Sequence, residues 1–139
     1  MTAQEIIDAL DLAPHPEGGY FRQTWIDEDS SGRPAGTCIY FLLKNGETSH
    51  WHTVDAVEIW HYHAGAPLIL NVSETDRGPK KEIHLGPDIA AGECPQGIVP
   101  KDWWQAACTT GDWTLVSCTV SPGFSFDGFK LAEPGFDIN

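Results

Sequence analysis

An all-β sandwich or barrel preceded by one short helix is the fold class this sequence predicts. Three observations carry it. Helical periodicity is confined to the first dozen residues, short runs rich in Tyr, Phe, Trp, Ile, Val and Thr follow one another to the C-terminus, and clusters of Gly, Pro, Asn and Asp separate those runs.

The helix is AQEIIDALDL, residues 3–12, where Ile6, Ile7 and Leu10 fall at helical spacing. Thr2 is placed to cap its first turn, and Glu5 three positions later completes a capping box. His15-Pro16-Glu17-Gly18-Gly19 stops it, because proline disfavours helix in the residue before it and paired glycines permit positive φ. The strands then predicted are YFRQTWI, TCIYFLL, SHWHTV, AVEIWHYH, PLILNVS, KKEIHLG, GIVP, WWQAACT, WTLVSCTV and FSFDGFKLA. Lys44-Asn45-Gly46, Ala64-Gly65-Ala66-Pro67, Asp76-Arg77-Gly78-Pro79 and Thr110-Gly111-Asp112 supply the turns between them.

The 139 residues read as one domain, 1–139, long enough to bury a core without disulfides. Twenty acids against eight bases, a net charge of −12, argue against nucleic acid and anionic membranes as partners. No run approaches the roughly 18 apolar residues of a membrane-spanning helix. The first residues are acidic where a secretory signal is basic and then apolar, so a cytoplasmic location is expected. Cys38, Cys94, Cys108 and Cys118 form no Cys-x-x-Cys pair and are expected to be buried free thiols.

Four of the six histidines lie between Glu47 and Gly65. Side chains alternate along a strand, so His50 and His52 should share one face, with Trp51 on the other. In Val57–His63, Glu58, Trp60 and Tyr62 share a face opposite Ile59, His61 and His63. A turn at Val54-Asp55-Ala56 would bring Glu58 beside His50 and His52. That trio fits three chemistries: a first-row metal site, a carboxylate-oriented histidine base, or a polar barrel lining. His61 and His63 are expected at a sheet or subunit contact, and His15 and His84 as structural residues. Tyr20 and Arg22 share a strand face, where Arg22 either reaches a ligand carboxylate or phosphate or pairs with Glu17 or Glu58. Trp51, Trp60, Trp103 and Trp104 offer ring faces to a ligand or fill the core, and Phe124, Phe126 and Phe129 are expected to close the barrel end. No nucleophile elbow and no phosphate-cradling glycine loop is present.

His50-x-His52, Glu58 and Gly65 resemble the first motif of the cupin superfamily, with a slightly long gap before the glutamate. Pro100-Lys-Asp-Trp-Trp-Gln105 resembles the second, with Asp102 in the place of its glycine and Gln105 in that of its histidine. His15-Pro-Glu-Gly-Gly-Tyr-Phe-Arg22, Ile39-Tyr-Phe-Leu-Leu, Glu58-Ile-Trp-His-Tyr-His-Ala-Gly65, Val99-Pro, Trp104-Gln-Ala-Ala and Ser121-Pro-Gly-Phe extend the likeness to the cupin-5 branch. The resemblance implies a double-stranded β-helix, a jelly-roll barrel with a pocket at one mouth, as a homodimer. It settles no reaction; the residues themselves offer a small-molecule pocket with His50, His52 and Glu58 as catalytic candidates and Tyr20, Arg22, Trp60, Tyr62, Trp104 and Gln105 as ligand contacts. Any divalent metal would be held by His50, His52, Glu58 and Gln105, though an amide oxygen is a weaker ligand than imidazole. The leading expectation is a sugar or small polar metabolite isomerase or epimerase. A metal-dependent oxygenase or isomerase and a non-catalytic binding or sensor module stand beside it.

Overall fold

The computed structural model describes residues 1–28 and 31–139. Helix α1 (Ala3–Leu10) leads into β1 (Ala13–Pro14), β2 (Tyr20–Ile26), β3 (Thr37–Lys44), β4 (Thr48–Val54), β5 (Val57–Gly65) and β6 (Leu68–Ser73). β7 (Lys81–Leu85), β8 (Gln96–Val99), β9 (Trp104–Thr109), β10 (Trp113–Ser121) and β11 (Phe129–Leu131) complete the chain. One antiparallel sheet runs β1-β2-β3-β10-β5-β8 and the other β11-β4-β9-β6-β7. They face each other as the jelly roll the sequence predicts.

Thr2 and Glu5 form the predicted capping box. The helix ends at Leu10, short of the expected residue 12, where Asp11 turns left-handed at φ 53°. It lies on the outer face of the six-stranded sheet, with Ile6 and Ile7 against Leu42 and partly buried Tyr20 and Tyr40. This explains the Phe41-Leu42-Leu43 run in β3, which breaks the alternation of a half-solvated strand. Phe41 and Leu43 point into the barrel with Trp60, Leu68, Leu70 and Val116, while Leu42 meets the helix.

All four cysteines are free. Only Cys118 is buried; Cys94 is exposed, and Cys38 and Cys108 are intermediate, so the expected burial holds for one of them. Cys94 lies in the irregular segment before β8. Among the described residues no helix is long and apolar enough to cross a membrane.

Two departures from regular strand geometry shape the barrel mouth. In β4, Ser49 pairs with Ala107 and His52 with Gln105, so His50 and Trp51 together stand opposite the single residue Ala106. Just before β2, Gly18 (φ +108°) and Gly19 (φ +77°) carry the chain tightly past β4 and β3. A Cβ on Gly18 would lie 2.1 Å from the Thr48 carbonyl oxygen.

Gly18→Ala should therefore destabilise the protein by about 3 kcal/mol, combining left-handed strain with a backbone clash. Gly46→Ala is the control: φ is +85° there too, but nothing lies within 4 Å, and strain alone should cost about 1 kcal/mol. Urea unfolding of both variants checks this, and equal losses would contradict a close approach at Gly18.

Candidate functional site

The bulge decides which histidine enters the barrel. Ala107 and Gln105 point inward from β9, while Ala106 packs outside with Trp51 and Ile138. Ser49 and His52 follow the inward pair, and His50 and Trp51 follow Ala106 outward. Strict alternation would put His50 with His52; one extra residue breaks it. His50 instead bonds through Nε2 to the Glu133 carbonyl at 2.9 Å and lines a groove on the outer face.

Inside the mouth, a narrow cavity of about 70 Å³ is lined chiefly by apolar side chains, with His15, Glu17, His52, Glu58 and Cys118 as its titratable groups. Phe124 and Phe126 stand at its rim, edge to face at 4.9 Å, with Phe129 packed against both. That trio closes the barrel end, as the sequence predicts.

Glu17 enters because the Gly18-Gly19 turn folds its loop into the mouth. Its carbonyl accepts the N–H of His50 at 2.8 Å, and its side chain accepts a short hydrogen bond from the Ser49 hydroxyl. Burial pushes its carboxyl up to about 8, against a smaller downward pull from Ser49. Glu17 Oε1 lies 3.4 Å from His15 Nδ1 and 3.6 Å from His52 Nε2. Those are ion-pair distances, but the partners are neutral near pH 7. Burial drives His15 down to about 4 and also lowers His52, opposed there by nearby Glu58.

The tautomer of His52 follows from its partner. Nδ1 lies 2.7 Å from the His50 carbonyl, which can only accept, so the proton sits on Nδ1 and the Nε2 lone pair faces Glu17. In His15 the reverse holds, because Nδ1 accepts the Glu17 N–H at 3.1 Å.

Glu58 reaches the cavity from β5, its carboxyl raised to about 7 mainly by burial. Behind it runs a fixed chain of bonds: the Trp60 indole donates to Gln105 Oε1 at 2.9 Å, and Gln105 Nε2 donates to Glu58 Oε1 at 2.9 Å. Because indole has no acceptor, the amide cannot be turned the other way. Gln105 therefore shows Glu58 a donor, with its oxygen committed to Trp60.

Of the predicted site residues, His52 and Glu58 line the cavity, Gln105 is bonded to Glu58 from behind it, and the others stand apart. Trp60 is a core residue behind Gln105, and Tyr62 lies further along β5, its hydroxyl donating to the Gly65 carbonyl at 2.6 Å. Tyr20 faces outward under α1, and Arg22, also outward, sits over the Tyr40 ring at 5.8 Å without reaching Glu17 or Glu58. Trp104 packs outside on Phe136 at 5.3 Å. Strand parity is the reason: Phe21 and Gln23, between and beside Tyr20 and Arg22, are the ones that line the cavity. Sequence reasoning does not find His15 and Glu17 as pocket residues; the Gly18-Gly19 pair beside them, which allows a loop to pack inward, is the one signal that points to them.

The predicted metal ligands do not fit a metal centre. His50 points out of the barrel and the Gln105 oxygen is bonded to Trp60. Among the described residues no group of three or more His, Cys, Asp or Glu is arranged to hold an ion.

Residues 4–132 match the family model Cupin_5, described as Cupin superfamily (DUF985). A crystal structure of a protein from Shewanella oneidensis superposes with a TM-score of 0.89 at 40% identity, over 96% of this chain and 85% of that one. A hypothetical protein from Leishmania major does so with a TM-score of 0.88 at 32% identity, over 98% and 90%. An oxalate decarboxylase variant from Bacillus subtilis shares the fold alone: TM-score 0.66, 14% identity, 88% of this chain and 30% of that one. Among curated proteins, 97 residues are 25% identical to arabinose 5-phosphate isomerase KdsD of Escherichia coli O6:H1. That match spans 70% of this chain but 29% of the isomerase, so this chain covers under a third of that protein.

The buried acids make stability depend on pH. Folded Glu17 and Glu58 keep protons that the unfolded chain releases above 4.5, so their contribution is lost as pH rises from 4.5 through 7 to 8. His15, lowered from 6.5 to about 4, acts with the opposite sign between those values and is silent above 6.5. Glu58→Gln, which keeps the acceptor for Gln105, should stabilise the protein by up to about 3 kcal/mol at pH 8 and change little at pH 4. Thermal melts at the two pH values measure it; an equal shift at both would contradict a carboxyl held neutral by burial.

Proposed function

This chain belongs to the Cupin_5 family of the cupin superfamily, and we infer that its barrel pocket binds a small uncharged carbonyl compound and shifts a proton on it. The reaction class is isomerisation or epimerisation. The observation that carries this reading is the His52–Glu17 pair: a bare imidazole nitrogen 3.6 Å from a carboxyl that burial keeps protonated near neutral pH.

Each atom then has a task. His52 Nε2 takes the proton from the carbon next to the carbonyl, while Glu17 gives its proton to the oxygen as the enol forms. For an isomer, His52 returns its proton to the former carbonyl carbon while the Glu17 carboxylate takes the proton of the hydroxyl on the neighbouring carbon, where the new carbonyl forms. For an epimer, water protonates the other face of the same carbon, His52 releases its proton to water and Glu17 takes its proton back from the enol oxygen. Both routes return Glu17 to its protonated form and His52 to its neutral one. Glu58, held by Gln105 and close enough to interact with the His52 charge, stabilises the imidazolium that appears between the two steps.

The pocket's composition supports an uncharged substrate. None of its lining residues is Lys or Arg, so a phosphate or carboxylate would enter without a counter-charge. The isomerase named in the 25% match agrees with this reading in reaction class, but its phosphate would have no partner at this mouth. The predicted metal-dependent alternative lacks a converging ligand set, whereas a binding module would keep the same pocket and differ only in turnover.

Incubating the protein with a panel of small aldoses, ketoses and hydroxyketones in heavy water tests the reading across the whole substrate class at once. A responsive compound should gain deuterium next to its carbonyl, seen by NMR. His52→Gln and Glu17→Gln should each slow this by roughly 10²-fold or more, and the wild-type rate should fall above pH 8 as Glu17 ionises. A compound that binds unchanged would identify a binding module, and exchange that survives in both variants would refute the assigned roles.

A further inference from the structure

We propose a second binding site on the outer face of the five-stranded sheet: a slot over Ala106, roofed by the C-terminal tail, that takes a small carboxylate carrying an adjacent hydrogen-bond donor, of the amino-acid or hydroxy-acid type. It lies on the other side of β4 from the barrel pocket and is independent of the chemistry there.

The sequence builds the slot by placing a small residue between larger ones. Ala106 pairs with Asn71 on β6 and, on its other side, faces the bulged His50 and Trp51 of β4. Neighbouring strands lie roughly 4.8 Å apart, so His50 and Asn71 rise from backbones about 10 Å apart with only a methyl group between them. The tail then crosses above. Ile138 is buried against Trp51 and Ala106, Phe136 stacks on Trp104, and the Lys80 N–H donates to the Asn139 carbonyl at 2.9 Å. What remains is a cavity of about 200 Å³ whose walls include Thr48, His50, Asn71, Lys80, Phe136 and Asp137.

One residue of the wall points to an occupant. Among the described residues, Asn71 Oδ1 is the sole buried side-chain nitrogen or oxygen atom with no hydrogen-bond partner. Folded proteins rarely leave a buried acceptor unmatched without a water or ligand to fill the position. The slot's other groups indicate which ligand. Lys80 brings a positive charge. Asp137 brings a negative one, its carboxyl kept below the usual range first by the Trp51 indole N–H, then by the Ile138 N–H, with Lys80 adding to it.

A bare anion would satisfy Lys80 but leave Asn71 unmatched and stand against Asp137. A molecule with a carboxylate for Lys80 and an ammonium or hydroxyl for Asn71 meets both, and an ammonium also offsets the Asp137 charge, with Trp51 and Phe136 flanking its carbon skeleton.

The test uses the full chain with glycine, L-serine, L-aspartate, L-lactate and L-malate at millimolar concentration, read by saturation-transfer NMR and by the shift in melting temperature. At least one of them should bind and raise the melting temperature, amino acids and hydroxy acids separating the two donor types. Asn71→Leu and Lys80→Met should each weaken it by roughly tenfold or more. Without ligand, Asn71→Leu should melt higher than the wild type, since it removes the unmatched acceptor. Lys80→Met keeps the test decisive should Asn71→Leu misfold. No response to any of the five, together with a crystal structure showing an ordered water alone on Asn71 Oδ1, would overturn the proposal.

Discussion

The hydrogen bond from the His50 N–H to the Glu17 carbonyl is the constraint on which the barrel mouth depends. A backbone donor in the middle of β4 would ordinarily be spent on the neighbouring strand. The bulge releases it, and the loop before β2 takes it. Gly18 and Gly19 allow that loop to come close enough, and Glu17 is thereby carried inward beside His52 and Ser49. Remove any one of the three elements and the carboxyl would have no reason to be buried, because an ionised glutamate would choose water.

Once buried, the titratable groups settle one another. The chain carries a net charge of −12, yet its pocket is close to neutral at pH 7, since burial lowers His15 and His52 while raising Glu17 and Glu58. Acids and bases pushed toward neutrality from opposite sides are poised to exchange protons at little cost. The folded state holds them there at the expense of stability at alkaline pH. Such an arrangement is hard to explain as packing alone, because apolar residues of similar volume would serve a core better.

Much of this was legible in the sequence. Short β-rich runs, their turn residues and the capped helix located every long strand, since each signal is local. The inward placement of Glu58 was also legible, because β5 alternates regularly where Glu58 and Trp60 lie. The identity of the second histidine was not. Period-two reasoning holds only while the register is unbroken, and nothing in Ser49-His50-Trp51-His52 announces an inserted residue. The same reasoning went astray by one position at Tyr20 and Arg22, where the face was right as a pair but the side of the sheet was not fixed. Asp102 shows the opposite case: read as the stand-in for a turn glycine, it adopts φ 67°.

Gln105 shows how a single side chain redirects a shared fold. In the place where the superfamily motif has a histidine, an imidazole could offer a lone pair to a metal. The amide has two ends, and Trp60, a donor with no acceptor, claims the oxygen. Only the NH₂ end is left for the pocket, and it faces Glu58 Oε1. A donor there is compatible with a carboxyl that is either neutral or ionised, whereas a cation seated on Glu58 would compete with that N–H for the same oxygen. With His50 displaced by the bulge at the same time, two of the four expected ligands are lost to separate local causes. The barrel keeps its shape because neither change touches the Phe41, Leu70 and Val116 core. What the mouth gains is a proton-holding pair in the room that a metal would have needed.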